Sequence, residues 1–128
     1  MMKKHHRSQR LEGELQKVLA EIIREDLKDP RLSLISVSGV SVSRDLSFAK
    51  VFISHLQEEK AKEGIEALNK AKGIIRKGIG QKLSLRIVPE IAFFLDESLY
   101  YSMKIQEKLR EISKDLPEEA ESEESEES

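Results

Sequence analysis

Six cations fall within seventeen residues: Lys70, Lys72, Arg76, Lys77, Lys82 and Arg86, with no acid among them. Gly73, Gly78 and Gly80 are interspersed. Cations at this density neutralise phosphates, and glycines let a ligand backbone approach closely. The chemistry implied is the grip of a polyanion. A solvated basic face is the plain alternative. On a helix, Ile75, Ile79 and Leu83 form one stripe. Arg76 then borders it on one side, Lys82 borders it on the other, and Lys77 points away.

Catalytic patterns are weak. Glu90, Asp96 and Glu97 flank an expected strand, but nothing in the sequence indicates the pocket that would shift their pKa values. His5 and His6 are adjacent near the terminus and His55 stands alone, a poor metal-ligand set. Gly73 to Gly78 starts like a phosphate loop, but Ile79 and Gly80 stand where Lys and Ser or Thr must reach phosphate and magnesium. No catalytic residue, metal or cofactor is expected. Phe48 and Phe52 share a strand face, yet without an aromatic RNA-recognition signature their expected role is core packing.

The elements that position the basic run follow from periodicity. Leu11, Leu15, Val18, Leu19, Ile22 and Ile23 mark a long first helix, with Ser8 as N-cap and Pro30 as its stop. A hairpin follows, Leu34 to Ser43 and Phe48 to Leu56, turning at Arg44-Asp45. Apolar parity slips across Ser38-Gly39, which predicts a β-bulge. Ala61, Ile65 and Leu68 mark a second helix, and Ile75, Ile79 and Leu83 a third, with a kink between. A strand from Glu90 to Leu95 comes next, then a helix capped by Ser98 with the stripe Tyr101, Ile105, Leu109 and Ile112. The order α-β-β-α-α-β-α predicts an α+β domain: a three-stranded sheet with helices on one face.

The 128 residues allow one domain. Between Lys3 and Lys114, 22 bases meet 16 acids, a net of +6; Asp115 to Ser128 carries eight acids and no base. Expected boundaries are a flexible 1–7, a folded 8–114 and a disordered acidic tail 115–128. No stretch approaches eighteen apolar residues, which excludes a membrane-spanning helix. The absence of cysteine rules out disulfides and fits a cytoplasmic setting.

A set of short motifs then carries a resemblance. Leu27-Lys-Asp-Pro-Arg-Leu32, Val37-Ser-Gly-Val40, Ser43-Arg-Asp-Leu46, Ala49-Lys-Val51, Ala71-Lys-Gly73 and Leu85-Arg-Ile-Val-Pro-Glu90, followed by Phe93-Phe94, occur in order. Together they closely resemble the ribosome-binding factor A family, bacterial small-subunit assembly factors. The resemblance covers about Arg7 to Ile112. It implies a type II KH-like fold, in which an Ala-x-Gly kink, here Ala71-Lys72-Gly73, replaces the usual Gly-x-x-Gly loop. It also implies a non-catalytic, cytoplasmic factor of ribosome biogenesis and rRNA processing, with a link to cold adaptation. Such a factor binds the immature 30S subunit through its ribosomal RNA. It promotes maturation of the RNA 5′ end and decoding region, and leaves with the help of a ribosome-assembly GTPase. A monomer is expected.

On this reading Lys72, Arg76, Lys77, Lys82 and Arg86 neutralise phosphates while Ala71 and Gly73 admit the RNA backbone. Arg7, Arg10, Arg31 and Arg44 are second-tier contacts. Four or five phosphate contacts predict a log K against log salt slope of roughly −3 to −4. The tail either solubilises the chain or folds back as an internal competitor of RNA. The rival class is a protein-interaction module whose last helix or strand edge docks a partner, with the cations serving solubility.

Overall fold

The computed structural model describes residues 2–114, with side chains from Arg7 onward. Two compact units divide after Asp96. The expected disordered tail lies outside the described residues.

The first unit opens with helix α1 (Met2–Glu21), whose Leu11, Leu15, Val18 and Leu19 are buried. Ser8 is not its N-cap. It sits inside the helix and is buried, because no proline or glycine ahead of it interrupts the backbone hydrogen bonds. The helix also ends before Pro30. It passes into a single π-turn, Ile22–Asp26, in which Leu27 N–H donates to the Ile22 carbonyl at 3.0 Å. Pro30 instead starts a short 3-10 turn, Pro30–Leu32. Asp29 ahead of it is extended (φ −108°, ψ 122°), as a residue before proline should be. Its carboxylate accepts from the Arg31 N–H at 2.9 Å.

Strands β1 (Ser36–Val42) and β2 (Phe48–Ser54) pair antiparallel, and β3 (Glu90–Leu95) pairs parallel to β2. β2 is therefore central. The expected bulge is present: Val37 pairs with Ile53 and Gly39 with Phe52. The extra residue restores parity, so Val37, Val40 and Val42 all pack against the core. Ala49, Val51 and Ile53 of β2 are fully buried. Helices α2 (Glu58–Lys70) and α3 (Lys72–Leu83) join α1 over that face through Leu68, Ile75 and Ile79. Phe48 and Phe52 do not pack in this core. They occupy the even positions of β2 and so face the other way, Phe48 being exposed and Phe52 half-buried.

Part of the outer edge of β1 is covered by side chains of α1. Glu12 Oε2 accepts from Val42 N–H at 2.8 Å, and Gln16 Nε2 donates to the Val37 carbonyl at 3.0 Å. Free strand edges template pairing with other chains, and these two bonds occupy part of this one.

The second unit contains α4 (Glu97–Lys114). Ser98 lies in its first turn and not ahead of it. The stripe Tyr101, Ile105, Leu109 and Ile112 is present and exposed.

A Cβ on Gly64 of α2 would lie 2.5 Å from Ile35 Cδ1 and 2.8 Å from its Cγ1. Gly64→Ala should therefore cost about 1–3 kcal/mol in urea unfolding. In the β1–β2 turn, Ser47 Oγ, Ser43 Oγ and Ser47 N–H donate to Asp45 at 2.7, 2.8 and 3.1 Å. These bonds lower its pKa from 3.8 to about 2. A depressed carboxyl stabilises the fold above its unfolded pKa and loses that effect as pH falls through the folded one. Asp45→Asn should therefore lower the thermal midpoint at pH 7. The gap to the parent should hold down to about pH 4 and close by about pH 2.

Candidate nucleic-acid interface

Helices α2 and α3 meet at Ala71, where the chain bends at φ −96° and ψ 10°. The Ala71 N–H donates to the Ala67 and Leu68 carbonyls, both at 3.1 Å. The bend is made at Ala71 with negative φ, and no described glycine has positive φ. Glycine is thus not needed to form the kink. What Gly73 provides is space. It is exposed in the first turn of α3, which holds no acid, and nothing lies within 4 Å of where its Cβ would be. Gly78 and Gly80 serve packing instead. A Cβ on them would sit 3.0 Å from Ile22 Cδ1 and 3.2 Å from Val88 Cγ2.

The structure separates the cations into two sets. Arg76 and Lys82 are engaged within the fold. Arg76 Nη2 donates to the Val88 carbonyl at 3.0 Å and lies 3.6 Å from Glu90 Oε2. Lys82 Nζ donates to Glu21 Oε1 at 3.0 Å and lies 3.9 Å from Asp26 Oδ2. The hydrogen bond to Glu21 raises the Lys82 pKa above the usual lysine value. These contacts fasten α3 to the start of β3 on one side and to the end of α1 on the other.

Lys72, Lys77 and Arg86 take part in none of the ion pairs of the described residues. Lys77 and Arg86 are exposed, and Lys72 is half-buried at the start of α3. Gly73 and Lys77 are four residues apart and share the outward face of the helix. Lys70, at the end of α2, is exposed as well.

The second-tier arginines are dispersed over other elements. Arg31 forms a fork on Asp29, Nη2 to Oδ2 at 2.8 Å and Nε to Oδ1 at 3.1 Å. The Arg31 guanidinium holds the Asp29 carboxyl below its usual range. Arg10 lies 3.7 Å from Glu14. Arg7 is exposed on α1, and Arg44 is exposed in the hairpin turn.

Sequence reasoning gave no role to Ile74 and Ile87, which are 62% and 79% exposed next to Gly73 and Arg86. The available signal was that Ile74 falls off the stripe of Ile75 and Ile79. Among the described residues, no group of His, Asp or Glu could hold a metal ion, and no helix is long and apolar enough to cross a membrane.

The chain as a whole has counterparts among known proteins. The family model for ribosome-binding factor A matches residues 7–109. The chain belongs to the ribosome-binding factor A family. The family's factor from Caldanaerobacter subterraneus subsp. tengcongensis is 42% identical over 116 residues, covering 89% of this chain and 95% of its own. The crystal structure of the factor from Thermus thermophilus superposes with a TM-score of 0.63 at 31% identity, covering 69% of this chain and 93% of its own. A homology model of a Thermus thermophilus factor, fitted into the cryo-EM map of a 30S complex, gives a TM-score of 0.58 at 32% identity. It covers 66% of this chain and 90% of its own.

The open space at Gly73 yields a two-part prediction. Gly73→Ala should leave the fold intact and raise its stability by up to about 1 kcal/mol in urea unfolding, since alanine is the better helix former. The same substitution should weaken RNA binding if a ligand backbone uses that space. A loss of both stability and binding would mean that the glycine is structural.

Proposed function

We propose that this chain binds the small (30S) ribosomal subunit through its ribosomal RNA. It acts in the cytoplasm as a monomer, without making or breaking a bond. By favouring one conformer of the precursor RNA, it promotes maturation of the 5′ end and decoding region. A ribosome-assembly GTPase acts in its release. Family membership supports the reading, as does the 30S complex of the Thermus thermophilus factor. The observation that carries it is the pair of exposed cations on either side of the Ala71 bend, Lys70 and Lys77, beside an open glycine, Gly73.

Lys72, Lys77 and Arg86 are the phosphate contacts of first choice, with Ala71 and Gly73 forming the approach. Arg76 and Lys82 stand behind them, because binding RNA would require them to share or leave partners at 3.0 Å. Arg7, Arg10, Arg31 and Arg44 remain peripheral. Three contacts in place of four or five lower the expected salt slope to roughly −2 to −3.

The test is cosedimentation with small subunits, with and without ribonuclease treatment. The parent should pellet with intact subunits and lose that association when the RNA is cut. Lys77→Glu combined with Arg86→Glu should weaken binding at least about tenfold and flatten the salt slope by roughly 2. Full association of the double variant would defeat the phosphate-clamp reading. The exposed stripe of α4 favours a second reading, docking of a partner protein; association that survives ribonuclease would support it. For the tail, deletion of Leu116 to Ser128 should raise affinity for unrelated RNA at low salt if its acids compete for the cations, and leave it unchanged if they only solubilise.

A further inference from the structure

The face of the sheet turned away from the core carries a pattern that the helix-side cations do not explain. Along β2 its positions are Phe48, Lys50 and Phe52; along β3 they are Glu90, Ala92 and Phe94. The parallel register sets Phe52 beside Phe94 and Lys50 beside Ala92. The Phe52 and Phe94 rings lie 6.3 Å apart and are tilted by 38°, so neither covers the other's face. Gly39 pairs with Phe52 across the β-bulge and adds no side chain over that ring. Phe48 is 36% exposed and Phe94 43%. Lys50 Nζ lies 6.0 Å over the Phe94 ring. Glu90, the acid among these strand positions, lies 3.6 Å from Arg76.

We infer that this face is a second RNA surface, a stacking platform for unpaired bases. Two features select that ligand over a protein. The exposed large apolar groups here are rings and not aliphatic chains, and every base has a π-face that stacks on a ring without sequence preference. A cation also alternates with the rings on β2. Same-face neighbours on a strand are about 7 Å apart, so the Lys50 backbone stands midway between Phe48 and Phe52. Its ammonium rests over Phe94, and a base stacking on that ring would turn it outward to meet a phosphate. Ser36 and Ser41 of β1 lie on the same face and are exposed, adding hydroxyl donors and acceptors. The inference rests on the proposal that the chain binds ribosomal RNA, but the groups that would touch the bases, Phe48, Lys50, Phe52 and Phe94, all lie on β2 and β3 and not on α2 or α3.

The experiment uses the full chain and two labelled probes of equal length, an unstructured uridine-rich RNA and an RNA duplex. Affinities are read by fluorescence anisotropy at two salt concentrations. Phe48→Leu and Phe94→Leu retain apolar bulk and remove the ring. Each should weaken single-strand binding about three- to tenfold, leaving duplex binding and the salt slope unchanged. In the parent, NMR signals of the Phe48 and Phe94 ring protons should move upfield as the single strand saturates. This readout holds even if a variant folds poorly. Parental single-strand affinity in both variants, absent ring shifts, or equal losses on the two probes would overturn the inference. So would a change in the sedimentation of the free protein, since that would make the face a contact between copies. Lys77→Glu separates the two surfaces. If it weakens both probes while the ring variants bind normally, only the platform falls. If it weakens neither while the ring variants lose the single strand, only the helix-side clamp falls.

Discussion

Burial of Ile75 and Ile79 against the sheet decides which cations of α3 can reach a ligand. With those two side chains inward, helical geometry sends Gly73 and Lys77 outward and leaves Arg76 and Lys82 at the flanks. The flanking cations then find acceptors: the Val88 carbonyl and Glu90 on one side, Glu21 and Asp26 on the other. Each exposed ion pair adds little stability alone. Their effect is directional, because together they fix the rotation of α3 and so the aim of Lys77. The close fit of Gly78 against Ile22 acts in the same sense, since even a methyl group there would meet a core side chain.

Most of the fold was legible because its signals are local or strongly periodic. The bulge at Ser38-Gly39 showed as a parity slip, and β3 was bounded correctly by Pro89. The π-turn was not legible: a 3.6-residue stripe and a π-turn both bury Ile22 and Ile23, so the pattern cannot separate them. Ser8 misled because a good capping residue is only a preference, and nothing ahead of it forced a stop.

The candidate site was half legible. Clustering of charge identified the helix and its cations. Which cations pair internally depends on contacts such as Lys82 to Glu21, sixty-one residues apart, that no spacing rule reports. The open face of the sheet failed for a related reason. The Phe48, Lys50, Phe52 alternation was visible, but Phe94 joins it only through the parallel register of β3 on β2. The odd positions of β2 were already enough to fill the core, which leaves the even ones free for another use.

The two bonds from α1 to the rim of β1 also bear on how the chain is made. Gln16 precedes its partner Val37 by 21 residues, and Glu12 precedes its partner Val42 by 30. During synthesis from the N-terminus, the cover therefore leaves the exit tunnel before the strand does. Part of the rim of β1 therefore need not wait for a later segment to shield it, which leaves a nascent chain fewer free backbone groups to mispair once the hairpin closes.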